Sequence, residues 1–313
     1  MFSLLLSGLL TLVSLNCENL FDCQQDSMKD DWEWTPEGSN RWTPFRYWQK
    51  LNNIGREILA CGEYDGDWHL PDLVALCEVE NDTVLHDLTR RSLLRNAHYD
   101  YVMTDSPDLR GIDVALLYSP ATFSLISWQA LRVEPLEGMR PTRDILYASG
   151  VFRERDTLHV FVVHAPSRSG GEVATRPHRM LVARRLTAAV DSVLQRHPSA
   201  NVLVCGDFND YSRDRSIRHL EANGLMELSR SACGRHGARG TYRYLGEWES
   251  LDHIFASPAF ASRLSECFIF DAPFLLESDD TYGGMKPRRN YLGPRYQHGF
   301  SDHLPLVARF RLP

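Results

Sequence analysis

Short runs of apolar and β-branched residues recur along the whole chain, and they constrain the fold more than any other feature. Several runs are continuously apolar instead of alternating, which is typical of strands that are buried on both faces. Stretches with one apolar helical face lie between some of them. The predicted strands are Leu10–Asn16, Leu73–Cys77, Val114–Tyr118, Leu158–His164, Asn201–Cys205, Ser250–Phe255 and Leu304–Phe310. The predicted helices are Tyr47–Cys61, Thr83–Leu94 and Pro177–Gln195.

The two longest polar segments lie between predicted strands that share the same apolar character. These segments, Gln24–Pro44 and Glu277–His298, are aromatic and rich in Gly and Pro, and we predict long loops there. Ordered loops of this length are commonly functional. Because neither segment is typical of an interdomain linker, we predict one domain over residues 1–313, and we expect a monomer.

The sequence leaves the cellular location open. The apolar segment Met1–Leu9 is either the remnant of a longer export signal or part of the fold, because it runs directly into the first predicted strand. Export would place the protein in the periplasm or outside the cell, and otherwise it is cytoplasmic. No apolar run is long enough to span a bilayer. The seven cysteines include no C-x-x-C pair, so we expect free thiols and no disulfide framework.

The balance of charge is acidic, with 34 Lys and Arg against 41 Asp and Glu and a formal net charge of −7. Proteins that bind nucleic acid through its phosphates usually carry a basic surplus. A polyanionic substrate would therefore have to meet a local basic patch on this chain. A cluster of carboxylates could instead serve a metal ion.

Polar residues stand at the ends of the first two predicted strands. Asn16 and Glu18 are two residues apart, so both can point into one cleft as the chain leaves the sheet. Glu78 ends a hydrophobic strand, where burying a carboxylate is costly without a partner. Either a bound cation or a salt bridge to an arginine would supply that partner.

Two later strands end in a similar way. His164 is followed by Ser, Arg168 and a pair of glycines, which favours a loop that faces phosphate. Gly206 permits a tight turn, and Asp207 and Asn209 after it can share one cleft. Phosphoryl transfer with a hard cation needs such oxygen ligands, a positioned water and donors for the phosphate oxygens.

Two Asp–His pairs complete the set, Asp252-His253 and Asp302-His303. An imidazole that acts in catalysis needs a carboxylate to fix its tautomer and favour its protonated form. A carboxylate near either strand start could do this.

Taken in order, N-x-E-N-L-F-D, L-x-E-V-E-N, H-A-P-S-R, G-D-F-N-D, L-D-H-I and S-D-H-L-P resemble the motifs of the endonuclease/exonuclease/phosphatase superfamily, which includes deoxyribonuclease-I-like nucleases. The matching positions run from Asn16 to Pro305, and G-D-F-N-D together with S-D-H is the specific combination. The resemblance implies a four-layer α/β sandwich, with two mostly antiparallel twisted sheets packed face to face and helices outside. Fold alone does not choose a substrate.

The resemblance also implies a metal site. Glu78 is the expected principal ligand, with Asn16 and Asp302 close to the metal. Glu18 stands where some relatives have Asp, so its contact with the metal could be direct or through water. The expected ion is Mg²⁺, and Mn²⁺ is expected to substitute for it.

The same resemblance implies roles in catalysis. Asp207 would position or deprotonate the attacking water, and Asn209 would hold a phosphate oxygen. His303 would contact the scissile phosphate and would be oriented by Asp252. His164 resembles the second histidine of the deoxyribonuclease-like branch.

Four arginines are the expected contacts to substrate. Arg143 resembles a phosphate-contacting arginine of the same branch, and Arg168 lies in the loop after His164. Arg288 and Arg289 belong to a basic, aromatic loop, Lys286–Arg295, that we expect to set substrate choice.

The function expected from these residues is hydrolysis of a P–O bond by metal-assisted, activated water. A phosphodiesterase or endonuclease is the first hypothesis, so the substrate could be a nucleic acid. The alternative is a phosphomonoesterase or an enzyme acting on lipid headgroups such as inositol phosphates or sphingomyelin. A non-catalytic binding protein on the same scaffold is disfavoured because all the expected polar residues are present. No G-x-S-x-G or H-E-x-x-H occurs, which disfavours serine hydrolases and zinc proteases.

Overall fold

The computed structural model describes residues 8–312. The proposed remnant of an export signal, Met1–Leu9, therefore lies outside the described residues except for its last two. Leu9 begins the first strand and is buried. Within the described part of the chain, no helix is both long enough and apolar enough to cross a membrane.

Strands and helices follow one another along the chain and include every strand and helix that the sequence predicts. The strands, in chain order, are β1 (Leu9–Leu20), β2 (Glu63–Tyr64), β3 (Asp67–Trp68), β4 (Leu73–Val79), β5 (Asp100–Met103), β6 (Asp113–Tyr118), β7 (Phe123–Leu131), β8 (Ile145–Phe152), β9 (Asp156–His164), β10 (Asn201–Asp207), β11 (Met226–Glu227), β12 (Tyr242–Tyr244), β13 (Glu247–Glu249), β14 (Asp252–Ala256), β15 (Leu264–Ile269), β16 (Leu276–Ser278), β17 (Met285–Pro287), β18 (Tyr291–Leu292), β19 (Arg295–Tyr296) and β20 (Leu306–Arg311). The α-helices are α1 (Pro44–Ala60), α2 (Asp82–Arg90), α3 (Glu172–Arg196), α4 (Arg215–Ala222) and α5 (Pro258–Ala261). Single 3₁₀ turns cover Trp32–Trp34, Leu93–Asn96 and Pro273–Leu275.

Twelve of the strands form two six-stranded sheets of matching topology. The first sheet has the order β15-β20-β1-β4-β6-β5, and the second has the order β11-β14-β10-β9-β8-β7. All neighbours pair antiparallel except one pair in each sheet, β1 with β4 and β9 with β10. The carboxyl ends of a parallel pair meet at one edge of a sheet. Each sheet therefore presents one such edge.

The side chains of β1 show how the layers form. Leu12 points into a core shared by both sheets, where it joins Leu116 of the first sheet and Leu203 of the second. The next residue, Val13, faces the opposite side and packs with Ile54 of α1. This alternation places helices outside both sheets, since α3 and α4 cover the second sheet in the same way. The four-layer α/β sandwich with mostly antiparallel sheets is confirmed.

Several sequence expectations need correction in detail. The predicted strands are extended by one to four residues at some ends, so that Glu18, Glu78 and Asp207 belong to strands and do not merely follow them. The segment predicted as one loop at 277–298 contains two small hairpins, β16–β17 and β18–β19. The predicted helix Thr83–Leu94 ends at Arg90, because the Ser92 hydroxyl caps a separate 3₁₀ turn. All seven cysteines are free, and four of them are buried.

Candidate active site

The carboxyl ends of β1–β4 and of β9–β10 border one cleft with a volume of about 720 Å³. The structure brings most of the residues singled out in the sequence to this cleft. Those that line it are Glu18, Glu78, His164, Arg168, Asp207, Asn209, Arg289, Asp302 and His303. Asn16 and Asp252 lie directly behind them and are hydrogen-bonded to Asp207 and His303.

The first-sheet side of the cleft is built from strained backbone. Glu18, Asn19 and Glu78 have φ angles of 50°, 58° and 63°, and the pairing of β4 with both its neighbours shifts register here. Glutamate seldom adopts this left-handed conformation, and such strain is commonly found at functional sites. The Asn19 amide donates to Glu78 Oε2 at 2.8 Å, and the Glu18 amide donates to Asn16 Oδ1 at 2.9 Å. The two bulged strands therefore hold two carboxylates at the cleft.

Glu18 is buried and takes part in a network with the 289–291 segment. Its carboxylate accepts the backbone amides of Asn290 at 2.6 Å and Tyr291 at 3.3 Å. Arg289 contacts Glu18 at 3.3 Å and Asp302 at 3.0 Å. Burial, and next the negative charge of Asp302, raise the pKa of Glu18 to about 7. One arginine thus lies between two carboxylates that repel each other.

On the second-sheet side, Asp207 is buried and held by two asparagines. Asn16 Nδ2 donates to its Oδ2 at 3.0 Å, and the Asn209 amide donates to its Oδ1 at 2.8 Å. Asn209 Nδ2 lies 3.2 Å from Oδ2 and 3.1 Å from the carbonyl of Ala165. Burial, followed by the charge of Asp252, raises the pKa of Asp207 to about 7. The Asn209 donors are therefore directed at Asp207 and Ala165 here, so Asn209 positions Asp207.

Gly206 explains why β10 can end in this way. Its φ is 133°, and a Cβ atom there would lie 1.9 Å from the carbonyl oxygen of Val163 on β9. Only glycine allows this close approach of the two parallel strands. The approach sets Asp207 beside His164, with which it is in register.

His303 and Asp252 form a buried pair that bridges the two sheets. His303 Nδ1 lies 2.7 Å from Asp252 Oδ2, and the Thr241 hydroxyl donates to the same oxygen at 2.6 Å. Burial opposes a charged imidazole, but the charge and hydrogen bond of Asp252 outweigh it and raise the pKa of His303 well above its usual value. The Ser301 hydroxyl accepts the His303 amide at 3.1 Å, which fixes the loop. His303 is therefore held as an imidazolium.

His164 has the opposite electrostatic character. It is buried, and its Nε2 lies 3.7 Å from both Glu78 Oε1 and Asp207 Oδ2. Burial, and next the charge of Arg143, lower its pKa well below the usual value. The cleft thus pairs a neutral imidazole at His164 with a charged one at His303, and this follows from their surroundings.

The first-sheet carboxylates fit a divalent metal ion. Glu18, Glu78 and Asp302 bring three carboxyl groups to one side of the cleft, and Arg289 contacts only two of them. His164 does not balance Glu78, because its pKa is depressed. Oxygen donors with unbalanced negative charge suit hard cations such as Mg²⁺ and Mn²⁺.

A second group also has metal-ligand geometry. Within residues 8–312, only Asp207, Asp252 and His303 place three ligand-type atoms within 4.8 Å of one another. The 2.7 Å bond between His303 and Asp252 already occupies those two groups with each other. The pairing of these two groups suits an acid–base unit, and the first-sheet carboxylates are the oxygen donors that could hold a cation.

The four arginines expected to bind substrate occupy different surroundings. Arg143 is buried outside the cleft lining and donates to Asp108 at 3.0 Å and to the carbonyls of His164 and Ala165. It supports the loop after β9 and does not reach the cleft. Arg288 also lies outside the lining, with its guanidinium 5.9 Å from the ring centre of Phe300.

Arg168 and Arg289 do line the cleft, but both are already paired with acids. Arg168 contacts Asp214 at 2.7 Å and Asp210 at 3.4 Å, while Arg289 lies between Glu18 and Asp302. The structure thus separates the neighbours Arg288 and Arg289, which the sequence grouped in one loop. Composition does not show that two adjacent arginines, in the short connection between two hairpins, contact different partners.

The cleft lining also holds residues that sequence reasoning did not single out, among them Arg110, Tyr211, Tyr242 and Tyr244. Arg110 donates to Asn19 Oδ1 at 2.5 Å across the cleft mouth. Tyr211 directly follows G-D-F-N-D, so its proximity to that motif was the available signal. Tyr242 and Tyr244 stand in a hairpin without a motif, and only the bridge of Tyr242 to His303 brings them near.

Two facing mixed sheets with a carboxylate and histidine cleft at their parallel pairs define the α/β sandwich of phosphoester hydrolases. The chain belongs to the Endonuclease/Exonuclease/phosphatase family, whose model matches residues 11–311. Members of this superfamily hydrolyse phosphoester bonds and generally depend on a divalent metal ion. The resemblance inferred from the motifs is therefore confirmed.

Solved structures give the same fold at low sequence identity. An endonuclease/exonuclease/phosphatase family protein from Bacteroides thetaiotaomicron has a TM-score of 0.63 at 16% identity, covering 97% of this chain and 98% of that one. A mannosyl-6-phosphatase from the same organism has a TM-score of 0.62 at 17% identity, covering 96% and 98%. The human Nocturnin catalytic domain with bound sulfate has a TM-score of 0.59 at 18% identity, covering 97% and 95%. We found no significant match among curated protein sequences.

Proposed function

We propose that this chain is a metal-dependent phosphodiesterase that hydrolyses a P–O bond with an activated water. The observation that carries the proposal is the position of Asp207, a buried carboxylate held by two asparagines beside the His303–Asp252 pair. A carboxylate fixed in this way can accept a proton from water without reorganising. The carboxylates of Glu18, Glu78 and Asp302 lie around the same cleft.

The residues divide the chemical work. Asp207 orients the water and takes its proton, and its raised pKa of about 7 suits a base that works near neutral pH. The His303 imidazolium donates to a phosphate oxygen, and Asp252 keeps it charged and oriented. A divalent cation held by Glu78, Asp302 and Glu18 would supply positive charge for the phosphate oxygens.

Charge in the cleft favours a diester over a monoester. Five carboxylates and three arginines line it, namely Glu18, Glu78, Glu172, Asp207 and Asp302 with Arg110, Arg168 and Arg289. A diester carries one negative charge and a monoester close to two at neutral pH. The monoester therefore meets more repulsion.

A phosphomonoesterase is the second candidate. It is supported by the similarity of the whole chain to the mannosyl-6-phosphatase fold. Because that similarity is at 17% identity, it supports a fold able to host either reaction. Nucleic acid is a proposed substrate. Because the chain is acidic overall, local contacts at the cleft would have to supply the affinity for nucleic acid.

Paired chromogenic substrates test the proposal. We expect metal-supplemented enzyme to hydrolyse bis(p-nitrophenyl) phosphate faster than p-nitrophenyl phosphate, to lose activity with EDTA, and to regain it with Mg²⁺ or Mn²⁺. Glu78→Gln should shift the activation curve to higher Mg²⁺ concentration, about 10–100-fold by analogy with weakened metal sites. Preference for the monoester would favour the second candidate, and restoration by Zn²⁺ alone would contradict the assignment of a hard cation.

A further inference from the structure

One wall of the cleft is aromatic, and no step of the proposed chemistry uses it. Tyr211, Tyr242, Tyr244 and Leu251 line the cleft beside the catalytic groups. The Tyr242 ring lies 5.0 Å from the His303 ring, so the wall begins at the reacting phosphate. Tyr244, two residues further along β12, is 61% exposed. The wall therefore runs from the catalytic centre out to solvent.

Tyr211 is held rigidly in this wall. The guanidinium groups of Arg168 and Arg213 lie over its ring at 4.1 Å and 4.4 Å from the centre. Arg213 is itself fixed by two bonds to Glu249, at 2.7 Å and 3.1 Å. The Tyr211 amide donates to Asp214 at 2.8 Å. Two guanidinium groups therefore already cover the ring of Tyr211, and the exposed ring of the wall is that of Tyr244.

The charged groups of the cleft limit how many phosphates a ligand can carry. Arg168 and Arg289 are each paired with carboxylates. Arg110 is different, because no carboxylate of residues 8–312 lies within 4 Å of its guanidinium, which contacts the neutral side-chain amide of Asn19. Each further phosphate would need an additional cation to offset its desolvation. One unpaired arginine, together with His303, suits a single phosphate group.

We propose that the cleft binds a phosphoester with one phosphate and an uncharged ring, and that the ring lies against the wall of Tyr211, Tyr242 and Tyr244. The ligand chemistry is a flat-faced ring, either a nucleobase or a sugar, attached to the phosphate. This inference rests on the proposed phosphodiesterase function and names its substrate class. It excludes inositol polyphosphates and favours a nucleoside or sugar ester over the open-chain headgroup of a lipid.

Direct binding tests the proposal without requiring turnover. Three methylphosphinates, which carry one negative charge as a diester does and whose P–C bonds prevent hydrolysis, would be titrated calorimetrically into the Mg²⁺-loaded protein: the 5′-methylphosphinate of thymidine, the 6-methylphosphinate of glucose and ethyl(methyl)phosphinate. We expect at least one ring-bearing phosphinate to bind about 10-fold more tightly than ethyl(methyl)phosphinate, as stacking on aromatic side chains allows. The first two compounds distinguish a nucleobase from a sugar.

Variants of the exposed tyrosine connect that preference to the wall. Tyr244→Ala should remove most of the preference for the ring and leave the affinity for ethyl(methyl)phosphinate within about twofold, while Tyr244→Phe should retain the preference, because the π-face persists. Phe45→Ala, at an aromatic residue that is 72% exposed and does not line the cleft, is the matched control and should behave as the wild type.

The outcomes separate this proposal from the one on which it rests. Equal affinities for all three phosphinates, or equal behaviour of Tyr244→Ala and Tyr244→Phe, would overturn the aromatic subsite and leave the proposed hydrolysis intact. A bis(methylphosphinate) of the same ring that binds about 10-fold more tightly than the compound with one phosphinate would overturn the limit to one phosphate. Failure of all the phosphinates to bind would overturn the phosphoesterase proposal itself.

Discussion

The two sheets reach the cleft with the same topology but with different electrostatic surroundings. On the first-sheet side, Glu18 and Asp302 share a single arginine, and burial beside a like charge raises the pKa of Glu18. On the second-sheet side, Asp207 and Asp252 each accept hydrogen bonds from two neighbouring side chains. One side is therefore short of positive charge, and each carboxylate of the other already accepts hydrogen bonds.

This difference indicates what each side contributes. A cluster of carboxylates that the protein leaves unbalanced can gain its missing charge from a cation in solution. A set of hydrogen-bonded acid and base groups is preorganised and needs no ligand to take its catalytic arrangement. Variants on the first-sheet side should therefore change the requirement for metal, and variants on the second-sheet side should change kcat at saturating metal.

The largest effect is expected for Asp207→Asn. Its Oδ2 accepts hydrogen bonds from the side-chain amides of both Asn16 and Asn209, so an amide group there would place donor against donor or turn its NH₂ toward the Asn209 backbone. The charge that accepts the proton is lost as well. We expect kcat to fall by about 10²–10⁴-fold while the Mg²⁺ activation midpoint stays near that of the wild type.

Steady-state kinetics over a range of Mg²⁺ concentrations would measure both quantities, with circular dichroism to confirm the fold. A kcat within about fivefold of the wild type would show that the water is activated elsewhere. A large shift in the Mg²⁺ midpoint with little change in kcat would break the division between the two sides of the cleft.

The next largest effect concerns the pair that bridges the sheets. Since Asp252 acts through His303, at 2.7 Å, we expect His303→Ala and Asp252→Ala each to lower kcat by about 10²-fold or more. The double variant should be little worse than His303→Ala alone, because the two side chains act as a unit. A complete double-mutant cycle measures this, and losses that multiply fully would show that the two residues act independently.

The apolar runs predicted the buried strands and most of the cleft for an identifiable physical reason, whereas the sandwich was implied by the resemblance of the motifs. Strands buried on both faces must be apolar, so a polar residue such as Glu78 or Asp207 at the end of one is conspicuous. The less regular strands were missed. Strand β7 is largely exposed, and Ser124, Ser127 and Gln129 interrupt its apolar residues. The pairing that places β7 at a sheet edge is long-range information.

The sequence could not show which cations are free. Arg288 and Arg289 are adjacent and chemically identical, yet only Arg289 meets Glu18. Arg143 was interpreted as a phosphate contact, but backbone carbonyls after β9 occupy its donors. Such pairing depends on where loops from distant parts of the chain come together, which neither composition nor periodicity encodes. The aromatic wall was missed for the same reason, because Tyr244 belongs to a hairpin without a motif.

A smaller effect, on the free energy of unfolding, is expected for two glutamates with buried side chains, one beside each sheet. Glu57, on α1 behind the first sheet, is fully buried with no hydrogen bond to either carboxylate oxygen, and burial raises its pKa to about 8 despite the charge of Lys50. Glu227, on β11 of the second sheet, bonds His253 at 2.9 Å. Burial would raise the pKa of Glu227, but hydrogen bonds with His253, Ser212 and Arg230 outweigh burial and lower the pKa to about 2.

The two glutamates should therefore respond to pH in opposite ways. Ionisation of Glu57 is disfavoured in the fold, so stability should decline as pH rises from about 4.5 to 8, and Glu57→Gln should be the more stable protein at pH 8 by on the order of 2–4 kcal/mol but not at pH 4. Glu227 stabilises above about pH 4.5, so Glu227→Gln should be destabilised at pH 7, with the difference shrinking as pH falls toward 2. Urea unfolding at several pH values measures both, and parallel trends for the two variants would contradict the contrast.

The smallest effect separates the adjacent arginines Arg288 and Arg289. Arg289→Ala removes the positive charge shared by Glu18 and Asp302, so we expect kcat/KM to fall about 10-fold for a small aryl diester and for a larger substrate alike. Arg288→Ala removes only a contact with Phe300, and should leave kcat/KM within about twofold for both substrates. The pair is its own control, because the two changes are chemically identical and one residue apart. The sequence hypothesis that the loop selects substrates predicts instead that both variants lose activity on the larger substrate only. That result would assign Arg289 to substrate recognition instead of to the first-sheet charge network. Another positive group would then have to balance the charge of Glu18.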